Sequence, residues 1–67
     1  MNVELNGSPV ELEHGATVAD AVDAAGADSD RGVAAAVDGE VVPRSEWATT
    51  RLAEGQRVEV LRAAQGG

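Results

Sequence analysis

The sequence predicts an α+β domain in which a mixed sheet of four to five strands packs on one helix. Three observations carry that prediction. Residues 2–6 and 10–13 alternate apolar with polar around an Asn6-Gly7 step. Val18, Ala21, Val22 and Ala25 recur at i, i+3, i+4 and i+7. Residues 58–62 alternate again close to the end of the chain.

Taken in order, the first two alternating segments set Val3, Leu5, Val10 and Leu12 on one face. Asn-Gly between them is a strong signal for a tight hairpin turn, because both residues accept the positive φ that such a turn demands. His14-Gly15-Ala16 breaks the alternation. Thr17 stands at an N-cap position, with Asp20 three residues on in a near capping box. The apolar stripe Val18, Ala21, Val22 and Ala25 then defines a short amphipathic helix with Asp20 and Asp23 on its far side and Gly26 supplying its C-cap. Residues 27–32 read as a polar loop.

Val33–Val37 is alanine-rich and could be helical, but Gly32 before it and Asp38-Gly39 after it leave too little length for a helix. It reads as a strand that turns back through Asp-Gly into Glu40–Val42. Pro43 ends that strand, Ser45 is placed to cap one helical turn holding Glu46 and Trp47, and residues 48–55 form a connection anchored by Leu52. Glu54-Gly55 leads into the final strand, whose Val58, Val60 and Arg62 share one side while Glu59, Leu61 and Ala63 share the other. This order of elements is that of the β-grasp fold, with the first and last strands parallel at the sheet centre and the helix across one face. The expected core is Val3, Leu5, Val10, Leu12, Val18, Val22, Val33, Val37, Leu52, Val58 and Val60.

Sixty-seven residues make one domain near the lower limit for an unaided core. The chain has no cysteine, which excludes disulfides, thiolate metal sites and cysteine nucleophiles. The N-terminus has no basic segment followed by an apolar one, and the longest apolar run is far too short to span a bilayer, so a cytoplasmic protein is expected. The formal net charge is −7, with twelve acidic residues against five arginines and no lysine. Such a surface repels nucleic-acid phosphates and anionic membranes. Residues 1–30 hold seven of the acids and no arginine, so the net charge resides in the first half, and the half leading to the C-terminus is neutral and mixed.

Side chains that could carry chemistry are few. His14 is the lone histidine and falls in a loop, Ser8, Ser29 and Ser45 fall in turns or caps, and nothing near Asp20 and Asp23 would make them a catalytic or metal-binding pair. Trp47, the only aromatic residue, reads as a plug at the core edge. What remains is the C-terminus. Residues 63–67 form a tail without a bulky group, expected to end at Gly67 in a free carboxylate, and Gly66 and Gly67 lack a Cβ, so such a tail can enter a narrow channel. Glycines also accumulate in frayed chain ends. The placement of this pair directly behind a strand, without a Ser or Pro linker, favours insertion. Leu61 and Ala63, on the strand face opposite the valines, together with Arg57, are the candidate partner contacts.

With these residues in view the sequence resembles the small sulfur carrier proteins of thiamine biosynthesis, ubiquitin-like relatives of the small subunit of molybdopterin synthase. The likeness spans the chain and is most specific over residues 39–67, where Val-Pro-Arg, Trp47, Leu52-x-x-Gly55 and the terminal Gly66-Gly67 keep the family's order. The resemblance implies a β-grasp domain over residues 1–62 with a flexible tail over 63–67. It also implies that an E1-like adenylyltransferase adenylates the Gly67 carboxylate with ATP, that a persulfide donor converts it to a thiocarboxylate, and that a thiazole synthase takes the sulfur. Gly66 and Gln65 would occupy the partner's channel. No cofactor is implied to be bound, and the chain would be a substrate of enzymes and no enzyme itself. A carrier for molybdopterin, a protein modifier joined to lysines and a bare interaction module are the other readings. All but the last use the terminal carboxylate.

Overall fold

The computed structural model describes residues 1–26 and 32–62. Its elements are β1 (Asn2–Leu5), β2 (Ser8–Glu11), α1 (Val18–Ala24), β3 (Val33–Val37), β4 (Glu40–Val42), a single 3-10 turn (Arg44–Glu46) and β5 (Arg57–Arg62). The strands form one sheet in the order β2-β1-β5-β3-β4. β5 therefore lies at the centre, parallel to β1 and antiparallel to β3. α1 covers one face, which is the expected β-grasp arrangement.

Both hairpins turn on two residues of positive φ, Asn6 and Gly7 at 51° and 85°, Asp38 and Gly39 at 50° and 87°. These are the type I′ turns whose twist matches the flanking strands. The first hairpin begins its return earlier than the alternation indicates, at Ser8 and not residue 10, with Leu5 facing Ser8 and Glu4 facing Pro9. Pro9 is tolerated there because β2 is an edge strand and a proline in it need donate nothing to the ladder. The Asp38 carboxylate accepts from the Arg57 amide at 3.0 Å and from Gln56 Nε2 at 3.2 Å, so the second turn also fixes the start of β5.

Asn6 has a second task. Its side-chain Oδ1 accepts from the Val60 amide at 2.8 Å and its Nδ2 donates to the Val60 carbonyl at 3.2 Å. The side-chain amide thus continues the parallel ladder along β5 where the β1 main chain turns away.

A helix of seven residues is too short to be stable by itself. Its first N–H groups are satisfied from outside: Val18 donates to the Thr50 carbonyl at 2.9 Å and Ala19 to the Trp47 carbonyl at 3.0 Å. Thr17 and Asp20 complete the anticipated capping box, with the Asp20 carboxylate accepting from the Thr17 amide at 2.8 Å. Ala25 is the C-cap residue, and Gly26, at φ 79°, is the left-handed residue just beyond it. Ser45 does not cap the 3-10 turn. It lies inside the turn, whose N-cap is Pro43, and no side chain bonds the end.

Val3, Leu5, Val18, Val22, Leu52, Val58 and Val60 are buried as expected, while Val10, Leu12, Val33 and Val37 are half-buried against them. Trp47 plugs the core edge and donates its indole N–H to the Val42 carbonyl at 2.8 Å. Ala16, Ala21 and Ala35 are also buried. Ala35 faces Val60 in the ladder, beneath the helix, where a small side chain admits close approach of the two layers. The predicted loop over residues 27–32 lies, except for Gly32, outside the described residues.

Asn6→Gly preserves the positive φ of the turn and removes only the two bonds to Val60. Urea unfolding should show a loss of about 1–2 kcal/mol. A variant as stable as the parent would mean that the side-chain amide contributes nothing to the end of β5.

Candidate functional site

The site is built around the end of β5. Alternation along that strand sends Val58 and Val60 into the core and leaves Arg57, Glu59 and Leu61 on the open face of the sheet. Leu61 is 65 % exposed, as its position opposite the valines requires. Arg57 shares its face, four residues back, and lies 3.8 Å from Glu4 in an exposed ion pair. Glu59 stands between them. Ala63, Gln65, Gly66 and Gly67, the other residues assigned to the site, lie outside the described residues.

Pairing register adds residues that the sequence reading did not assign. Leu61 faces Ala34 of β3, and Ala36, two residues along, faces Val41 of β4. Val41 is 74 % exposed. Val41, Ala36, Ala34 and Leu61 therefore make a short apolar strip across three strands of the open face, with Glu59 beside Ala36 and the Arg57–Glu4 pair beyond it. A surface with an apolar centre and charged flanks suits contact with another protein. The local signal for Val41 was slight, since in Glu40-Val41-Val42 either valine could have been the one turned inward.

Arg62 was also missed. It falls on the helix side of the sheet, paired with Val33, and one of its guanidinium Nη groups donates to the Gly26 carbonyl at 2.6 Å. The last described residue of the strand is thereby tied to the C-terminal end of α1.

Among the described residues no side chain that is polar or charged is buried, and no three His, Asp or Glu groups lie close enough to hold a metal ion. His14 is exposed, on a shallow depression lined also by Leu12, Gly15 and Asp20, at the other end of the sequence from the tail. No helix of the described residues is long and apolar enough to cross a membrane.

Comparison with known proteins bears on what such a surface and tail serve. The model of the ThiS family matches residues 3–67. Among solved structures, the thiamine biosynthesis protein (ThiS) from Geobacter metallireducens is similar over 100% of both chains, at 28% sequence identity and a TM-score of 0.80. Comparison with curated proteins gives no match. The five-stranded sheet, the single helix and a family match that runs through the Gly-Gly tail agree, and the chain belongs to the ThiS family.

Proposed function

We propose that this chain is a sulfur carrier whose C-terminal Gly67 carboxylate is adenylated, converted to a thiocarboxylate and used as the sulfur source for the thiazole ring of thiamine. The observation that supports this most is the family match extending to residue 67, over a domain whose central strand leads directly into the tail. A carboxylate at neutral pH is a poor electrophile. Attack of one of its oxygens on the α-phosphorus of ATP expels pyrophosphate and leaves an acyl-adenylate. A persulfide sulfur then attacks the acyl carbon and AMP departs, and a second thiol cleaves the sulfur–sulfur bond to release the thiocarboxylate. Every catalytic group in this sequence of steps belongs to a partner, first an E1-like adenylyltransferase and then a thiazole synthase, so the chain is a substrate and no enzyme. ATP serves the activating enzyme, and we place the cycle in the cytoplasm.

The physical division of labour follows from the two parts of the molecule. Residues 1–62 supply a folded handle, and residues 63–67 supply a narrow reach with the reacting carboxylate at its tip. Gly66 and Gln65 would lie in the partner's channel, where a glycine's missing Cβ admits close contact. Leu61, Arg57 and Ala63 would meet the activating enzyme on the open face of the sheet.

Removing Gly67, or adding residues after it, should abolish thiazole formation while the circular dichroism of the domain is unchanged. Sulfur transfer by the shortened chain would overturn the carrier reading. Incubated with an activating enzyme, ATP and a persulfide donor, the intact chain should gain the mass difference between sulfur and oxygen, and fragmentation should map it to Gly67. With no cysteine and no lysine there is no competing thiol or ε-amine. Transfer of the C-terminus to lysines of other proteins would favour a modifier, and delivery to a molybdopterin synthase large subunit would favour the molybdopterin carrier.

Leu61→Asp replaces an exposed apolar contact without touching the core. Affinity for the activating enzyme should fall by at least about fivefold, the equivalent of the roughly 1 kcal/mol that loss of a contributing interface contact exceeds. Folding stability should change by less than about 0.5 kcal/mol. Equal affinity in a titration would remove Leu61 from the interface.

A further inference from the structure

The end of β5 is held less completely than its middle. β1 pairs with β5 only as far as Leu5 opposite Val58, and the Asn6 amide carries the bonding on to Val60. Main-chain groups alternate sides along a strand. Arg57 bonds toward β3 through its carbonyl, which accepts from the Asp38 amide, so Val58, Val60 and Arg62 direct their main chain toward β1. At Arg62 that side lies beyond both β1 and Asn6. Val33 on the other side is its neighbour in a pair whose main-chain groups do not bond each other.

The Arg62 side chain makes the remaining connection. Its guanidinium reaches across the helix-side face to the Gly26 carbonyl at 2.6 Å, a short bond of the charge-assisted kind. Gly26 follows the C-cap residue of α1, where unsatisfied carbonyls carry partial negative charge, and the last turn of α1 holds no basic residue of its own. Arg62 therefore serves as the helix's C-terminal cation from 36 residues away. It is also the side chain immediately before the tail.

From this geometry we infer that Arg62 is a positioning residue: by tying the end of β5 to the end of α1, it fixes the point and direction from which residues 63–67 leave the domain. This rests on the carrier reading above. An activating enzyme that grips the sheet face and receives the tail in a channel then meets a tail whose root is already oriented, and less conformational freedom is lost on entry. The role differs from that of Leu61, which touches the partner. Arg62 acts through the chain's own backbone.

The test is adenylation by the activating enzyme of the same organism, followed by ATP–pyrophosphate exchange in the absence of thiols. Arg62→Ala should lower kcat/KM by about fivefold to tenfold, through KM more than kcat, because the lost ordering must be made up on binding. It should also speed exchange of the Leu61 and Arg62 amide hydrogens in the free protein. A double variant, Val33→Cys with Arg62→Cys, distinguishes tethering from direct contact. The two positions are cross-strand neighbours of the type about 4.5 Å apart at Cα, within the span of a disulfide, and the chain has no other cysteine. Reduced, this variant should behave as Arg62→Ala does. Oxidised, it should recover to within about twofold of the parent, since the strand end is held again without the charge.

An oxidised variant as slow as the reduced one would overturn the proposal and make Arg62 a direct partner contact. Parental rates for Arg62→Ala would overturn it as well. A parent chain that is not adenylated at all would bring down the carrier reading, and this proposal with it. A parent that is adenylated, beside an Arg62→Ala variant that is unaffected, brings down only the tether.

Discussion

The parallel pairing of β1 with β5 is the constraint on which the rest of this molecule depends. Parallel neighbours cannot be joined by a hairpin, so the chain between them must cross over the sheet, and here that passage contains the only helix among the described residues, the β3–β4 hairpin and the connection through Trp47 and Leu52. One face of the sheet is covered as a result and the other is left open. The same pairing puts β5 at the centre of the sheet, between β1 and β3. A covered face gives the domain a core, and the open face leaves Leu61 and Val41 exposed.

The core is economical because several of its positions are very small. Ala21 and Ala35 are buried with Val18, Val58 and Val60, which lets the helix lie close on the central strands. Burial alone would not stabilise a helix of two turns. The carbonyls of Trp47 and Thr50 receive the first helical N–H groups, while Trp47 itself closes the edge of the core, so the irregular connection and the helix hold each other in place. No polar side chain is buried among the described residues, so the packing of this core carries no side-chain desolvation cost.

Much of this was legible in the residues. Alternation and turn chemistry are local properties, and they placed both hairpins, the inward valines of β5 and the outward Leu61; Thr17 and Asp20 marked the start of the helix in the same local way. The absence of cysteine and lysine excluded a thiol and an ε-amine, and Gly66 and Gly67 behind a strand marked the C-terminus as the candidate for chemistry. Ser45 shows the boundary of local reading. A serine ahead of a polar turn is a reasonable cap, but Pro43 already sets the entry φ near −59°, so the turn begins two residues earlier, at Arg44, and Ser45 falls within it.

Only the tertiary structure decided which distant residues meet. Val41 joins Leu61 on one face through the register of β4 on β3 and of β3 on β5, and register is a property of paired strands that neither strand's sequence contains alone. Asn6 could be read as a turn residue from its neighbour Gly7, but its bonds to Val60 span 54 positions of sequence. Alternation put Arg62 on the side of Val58 and Val60 but named no partner for it, and it meets the Gly26 carbonyl because the fold brings the end of the last strand beside the end of the helix. Sequence by itself determined the kinds of element and the functional groups available to the chain, since propensity, period and functional groups reside in single residues and short windows. Their assembly into a braced strand and an open sheet face was decided by pairing and packing between distant segments.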